Sequence, residues 1–155
     1  MMKKIYPLIV CALLLLPLCG SCDKVPMNGD LDGMWQLMSI EKGGQVTNVK
    51  STKHYMSFQL HLVQFDGTNK NGDFQARLYY AHFKHTGDSL FIYDLAHHSE
   101  NATEADNNVW FTEQDLPLVE AWGMYSLDNR FRVVRLNSDA MVLRRNDLVL
   151  TYRKF

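Results

Sequence analysis

The chain has 155 residues, 46% of them apolar and 21% charged, with a formal charge of −1. That length suits one domain, and the composition is that of a globular body. Sixteen Lys+Arg stand against seventeen Asp+Glu, so no basic excess exists to hold a phosphate backbone and no nucleic-acid partner is expected.

Lys3 and Lys4 form a short positive region, and Ile5 to Leu18 is an uncharged, largely apolar stretch. As a helix it would span about 21 Å, short of the roughly 30 Å hydrocarbon core of a bilayer. Gly20-Ser21-Cys22 follows. This resembles a bacterial lipoprotein signal, cut after small residues and before a Cys that carries diacylglycerol. Cys19 competes, but bulky Leu18 precedes it, which favours Cys22 as the lipid attachment site. The expected organisation is a signal peptide over residues 1–21, a tether with Pro26 and Gly29 over 22–31, and one domain over 32–155. Cleavage removes Cys11 and Cys19 and leaves 134 residues with one Cys, itself acylated. No internal disulfide or thiolate metal site can then form. Only Lys3 and Lys4 leave with the signal, so 14 basic residues face 17 acidic ones and the charge becomes −3. Several acyl chains anchor stably where one does not. The expected location is therefore the bacterial cell envelope, lipid-anchored at the outer membrane on its periplasmic or surface face.

The body alternates with a period of two. Met34 to Glu41 reads as a strand turned by Gly43-Gly44. His54, Met56, Phe58, Leu60 and Leu62 form the apolar face of one strand, and Asp66 to Asp73 is dense turn material. A strand with Phe74, Ala76, Leu78 and Tyr80 on its inner face follows, then a turn at His85 to Asp88 and a strand from Leu90. His97 to Asn108 reads as a polar loop. Thr112 with Asp115 has the spacing of a helix cap, Leu116, Val119 and Trp122 a helical stripe, and Gly123 a helix end. Strands over Phe131–Leu136, Met141–Arg145 and Leu148–Lys154 are separated by Asn-containing hairpin turns. Short sequential strands with one short helix before the last three predict an all-β, antiparallel up-and-down barrel of about eight strands, closed because closure removes the edges.

Gly33-Met34-Trp35 resembles the Gly-x-Trp start of lipocalins. The ending Met141-Val-Leu143 … Leu148-Val-Leu150-Thr-Tyr-Arg153-Lys-Phe155, with Trp122-Gly123 before the last three strands, is similar to small lipocalin-like domains of Bacteroidetes lipoproteins. The resemblance spans Asp32 to Phe155 and implies a calycin-like barrel. It also implies that Trp35 closes the barrel bottom, with a late basic residue, Arg153, packed over its ring.

The chemistry-bearing residues are sparse. His82 and His85 point to opposite faces of an extended stretch. His97, His98 and Glu100 sit in a polar loop, so no metal site is expected. The Asp66 to Asp73 segment lacks EF-hand spacing and reads as a turn. No nucleophile elbow, phosphate loop or dinucleotide fingerprint is present, so neither enzymatic activity nor a cofactor is expected. One functional reading is a small apolar or amphipathic ligand in the barrel, lined by Phe58, Leu60, Leu78, Tyr80, His82, Ile92 and Phe131. The other is a filled barrel that recognises a partner protein or glycan through the His97–Asn108 loop and the helix near Leu118.

Overall fold

The computed structural model describes residues 27–68, 71–98 and 108–155, the side chains of Arg77, Leu78, His98 and Asn108 excepted. The signal segment, Cys19, Cys22 and the first half of the tether lie outside these residues. The strands are β1 (Gly33–Lys42), β2 (Gln45–Asn48), β3 (Tyr55–Gln59), β4 (Leu62–Thr68), β5 (Phe74–Thr86), β6 (Ser89–His98), β7 (Asn108–Trp110), β8 (Asn129–Leu136), β9 (Ala140–Arg145) and β10 (Leu148–Lys154). Their order is β10-β9-β8-β6-β5-β4-β3-β1, and β10 pairs back onto β1. This is a closed antiparallel barrel, with β2 appended to β1 and β7 to β6. The closing ladder runs from Trp35↔Lys154 to Lys42↔Leu148, with a bulge between Leu37 and Ser39.

The alternation of β1, β3 and β8 to β10 follows the sequence. Trp35, Leu37, Met56, Phe58, Phe131, Met141, Leu143, Leu150 and Tyr152 are all buried. Three places depart from it. The strand read through Leu62 ends at Gln59, because Leu60 adopts φ +56° and turns the chain into β4. Val63 and Phe65 of β4 are then buried, and Asp66 belongs to a strand rather than to a turn. In β5 the inner set is Tyr79, Ala81 and Phe83, not Phe74 to Tyr80. A one-residue slip exchanges the two faces of a strand. Both faces of β5 carry aromatics, so apolarity alone cannot choose between them.

The segment expected as a helix forms two successive 3₁₀ turns, Glu113–Leu118 and Glu120–Trp122. Pro117 lies inside the first, where it supplies no N–H and disfavours α geometry in the preceding residue. The expected cap is present: Asp115 Oδ2 accepts from Thr112 N–H and from its hydroxyl, both at 2.8 Å. These bonds hold the Asp115 carboxyl below its ordinary pKa. Gly123, at φ +81°, ends the second turn. The folded body also begins before Asp32. Gly29–Leu31 is a 3₁₀ turn, and Leu31 is fully buried.

Candidate functional site

The two barrel ends are closed by different devices. At the end where β1 starts, Trp35 is fully buried and its Nε1 donates to the Leu31 carbonyl at 2.8 Å. The cation over its ring is Lys154, with Nζ 4.8 Å from the centroid. The Lys154 ammonium also donates to Asp30 O at 2.7 Å. The assignment of Arg153 to that place is corrected. Tyr152 points inward on β10, so alternation returns inward at Lys154 and turns Arg153 out, where it donates to Gln36 Oε1 at 3.1 Å.

At the other end, the 3₁₀ turns drive Trp122 into the mouth. Its indole Nε1 donates to Tyr55 O at 3.0 Å and to Asp66 O at 3.1 Å, tying the turn to β3 and β4. The edges of His54, Phe65 and Tyr79 meet the indole at 4.5, 5.9 and 6.1 Å between centroids. The Trp122 carbonyl accepts from the buried Tyr152 hydroxyl at 3.3 Å. Burial pushes that phenol above its ordinary pKa. Arg145 completes the closure by donating to Ser126 Oγ and Asn129 Oδ1, each at 2.9 Å.

His54 is buried and its Nδ1 lies 2.7 Å from Thr52 Oγ1. The Thr52 hydroxyl donates to Val49 O at 2.6 Å. Its oxygen must therefore accept from His54, which places a proton on Nδ1. Desolvation lowers the His54 pKa below 6.5. The unfolded chain then binds the proton more readily than the folded one. The stability due to neutral His54 is complete above about pH 6.5, falls as the pH drops below it, and levels off beneath the depressed folded value. We expect denaturant midpoints measured from pH 8 to pH 5 to fall below pH 6.5, and the slope to flatten in His54→Gln. An unchanged slope in that variant would assign the transition to other groups.

The residues expected to line a ligand pocket separate into three groups. Phe58, Ile92 and Phe131 are core, with Phe58 packed edge-on against Phe83 at 5.0 Å. Leu60 is 59% exposed on the β3–β4 turn, outside the barrel. Tyr80 and His82 lie on the opposite face of β5 from Tyr79, Ala81 and Phe83. Tyr80 is buried there. The Leu78 side chain is outside the described residues. No single pocket therefore gathers this set.

His82 belongs instead to an outer column that sequence reasoning missed. It lies 6.4 Å from Trp110 of β7 and 5.8 Å from Tyr93 of β6. Tyr93 stacks on Phe91 at 4.7 Å and 19°, and the Arg130 guanidinium of β8 lies 4.1 Å over Phe91. His82 Nδ1 meets Asp94 Oδ2 at 3.3 Å. Asp94 is the bulged residue of β6, at φ +54°, and the bulge resets which side chains face in. Among the described residues, no cluster of three or more His, Cys, Asp or Glu is placed to hold a metal.

A lipocalin-like domain family matches residues 14–155. A lipocalin-like protein of Bacteroides uniformis superposes with a TM-score of 0.60 at 19% identity, covering 82% of this chain and 100% of its own. An uncharacterized protein of Bacteroides eggerthii superposes with a TM-score of 0.56 at 20% identity, covering 81% and 99%. No curated protein matches. The family match over most of the sequence and the closed barrel with the buried Trp35 of its Gly-x-Trp start agree: the chain belongs to the lipocalin-like domain family.

Proposed function

We propose that the protein is a lipid-anchored binding module of the bacterial cell envelope, in which the barrel is a filled scaffold and recognition of a partner protein or glycan lies on its outer surface. One observation carries this reading: Trp122 is 2% exposed and seated through the mouth, over a core that already holds Phe58, Phe65, Phe131 and Tyr152. An interior occupied by large aromatics leaves the outside as the place for contact. The reading assigns no catalytic role, since the buried His54 serves packing and Trp122 serves closure. The anchor follows from the Gly20-Ser21-Cys22 signal alone.

Two measurements test it. A fluorescent fatty acid titrated into the protein is expected to show no saturable binding. One-to-one saturation would return the interior to a small apolar ligand, admitted by displacement of the Trp122 turn. Labelled fatty acid fed to the producing cells is expected to enter the wild type and not Cys22→Ala. Label retained in Cys22→Ala would move the anchor to Cys19, and a wild type that takes up no label would remove it.

A further inference from the structure

Six of the seven arginines of the chain lie on the last three strands: Arg130, Arg132, Arg135, Arg144, Arg145 and Arg153. Arg145 is spent on Ser126 and Asn129. Arg132 of β8 and Arg144 of β9 are direct cross-strand partners on the outer face. Directly opposed residues hold their Cβ atoms about 5 Å apart, and like charges placed so repel. Arg132 has one acidic neighbour, Asp88 at 3.4 Å, with both side chains over 70% exposed. No carboxylate among the described residues pairs with Arg144. The neighbouring row across β5, β6 and β8 reads Lys84, Phe91 and Arg130.

This basic strip abuts the aromatic column. Tyr93 and Phe91 stack on one another, and the Arg130 guanidinium also lies over Phe91. Phe91 is thus engaged by Tyr93 and Arg130, and Tyr93 by Phe91 and the tilted His82 ring, so neither ring is free to stack flat on a ligand. With those rings engaged, Lys84, Arg130, Arg132 and Arg144 dominate this surface, which suits an oxyanion better than the apolar face of a neutral sugar. A guanidinium pair matches a carboxylate or sulfate in bidentate geometry. Asp88 stands beside Arg132, and Asp94 stands beside His82 of the adjoining column. They oppose a uniformly negative lipid surface but accept hydrogen bonds from hydroxyl groups. An anion that also carries hydroxyls satisfies both sets.

We propose that the outer face of β5, β6, β8 and β9 binds an acidic saccharide, its carboxylate or sulfate held between Arg132 and Arg144. This rests on the reading that recognition lies outside the barrel, and it names the ligand class. The test is calorimetric titration of the protein with oligogalacturonate and with a heparin oligosaccharide. The neutral methyl ester of the former and phosphatidylglycerol vesicles serve as comparisons. Arg144→Glu is the variant of choice, because it converts the opposed arginines into an ion pair and should not lower the melting temperature. Binding of at least one acidic oligosaccharide is expected, weakened at least tenfold in Arg144→Glu and by added salt, with little binding of the neutral ester. The inference is overturned if neither oligosaccharide binds, if the neutral ester binds equally, if Arg144→Glu binds as wild type does, or if only vesicle binding responds to the substitution. The fatty-acid titration separates the two levels. Saturation there removes the filled-barrel reading, whereas failure of the saccharides alone removes only this ligand class.

Discussion

Trp122→Ala is expected to lower the unfolding free energy by about 3–5 kcal/mol, the usual cost of truncating a buried aromatic to Ala. Total stabilities of small domains are only about 5–15 kcal/mol, so the variant should sit close to unfolding at growth temperature. The size follows from what the indole touches. It fills the space among His54, Phe65 and Tyr79, and its N–H is the bond that ties the 3₁₀ segment to the Tyr55 and Asp66 carbonyls. Trp122→Phe keeps part of the volume and none of the donor, so it should fall between the wild type and Ala. Guanidinium titrations read the effect as a lower midpoint with an unchanged m-value. The vacated site is walled by the Phe65 and Tyr79 rings but also by His54 and by the Tyr55 and Asp66 carbonyls, which lose their donor, so it suits a flat aromatic that carries an N–H. Trp122→Ala should therefore gain binding of indole, whose N–H can replace the lost donor, and the wild type is expected not to bind it. A loss below about 1 kcal/mol, outside the range for buried aromatic truncation, would mean that the indole is not seated as described.

Most of the architecture is readable from the chain because closure and alternation are both written in side-chain period. β8, β9 and β10 each bury one set of alternate apolar residues, and Asn137 and Asn146 mark the turns between them. The Asn137 side chain accepts from the N–H groups of Asp139 and Ala140, and Asn146 takes φ +54°, both ordinary roles for Asn in a turn. What could not be read has specific causes. Leu60 occupies a left-handed turn position that favours Gly or Asn, so nothing marks the β3–β4 hairpin. Tyr79 and Tyr80 are adjacent and identical, which hides the inner face of β5. Asp94 bulges without a glycine, so the parity of β6 changes midway. The choice between Arg153 and Lys154 over Trp35 turned on one residue of register at a strand end, where two cations are neighbours.

The site was less readable than the fold for a related reason. The outer column of Trp110, His82, Tyr93, Phe91 and Arg130 draws two residues from β6 and one each from β5, β7 and β8. No window of sequence contains it, and only the barrel order brings β7, β5, β6 and β8 side by side. The Arg132–Arg144 opposition likewise needs the β8–β9 register, which includes a bulge between Val133 and Arg135. One signal was available in sequence: arginine is concentrated in the final strands while lysine is spread along the chain. Arg rather than Lys marks places where a planar, bidentate group is matched.

Gly67→Ala is expected to cost about 1–3 kcal/mol by overpacking, without any backbone strain from a positive φ. A Cβ at that position would stand 2.6 Å from His54 Cδ2 and 2.7 Å from Trp122 Cζ2. Neither ring can yield freely: His54 is held by Thr52, and Trp122 by its two carbonyl acceptors. The added methyl must push one of them out of the mouth. The cause can be isolated with a double-mutant cycle. In the Trp122→Phe background the outer edge of the indole is gone, so part of the collision is gone too. Gly67→Ala should then cost less than in the wild type, by about 1 kcal/mol or more, within the usual coupling between residues in contact. Additive losses within about 0.5 kcal/mol are what independent sites show. That outcome would place the indole away from β4 and unseat the capped mouth on which the filled-barrel reading stands.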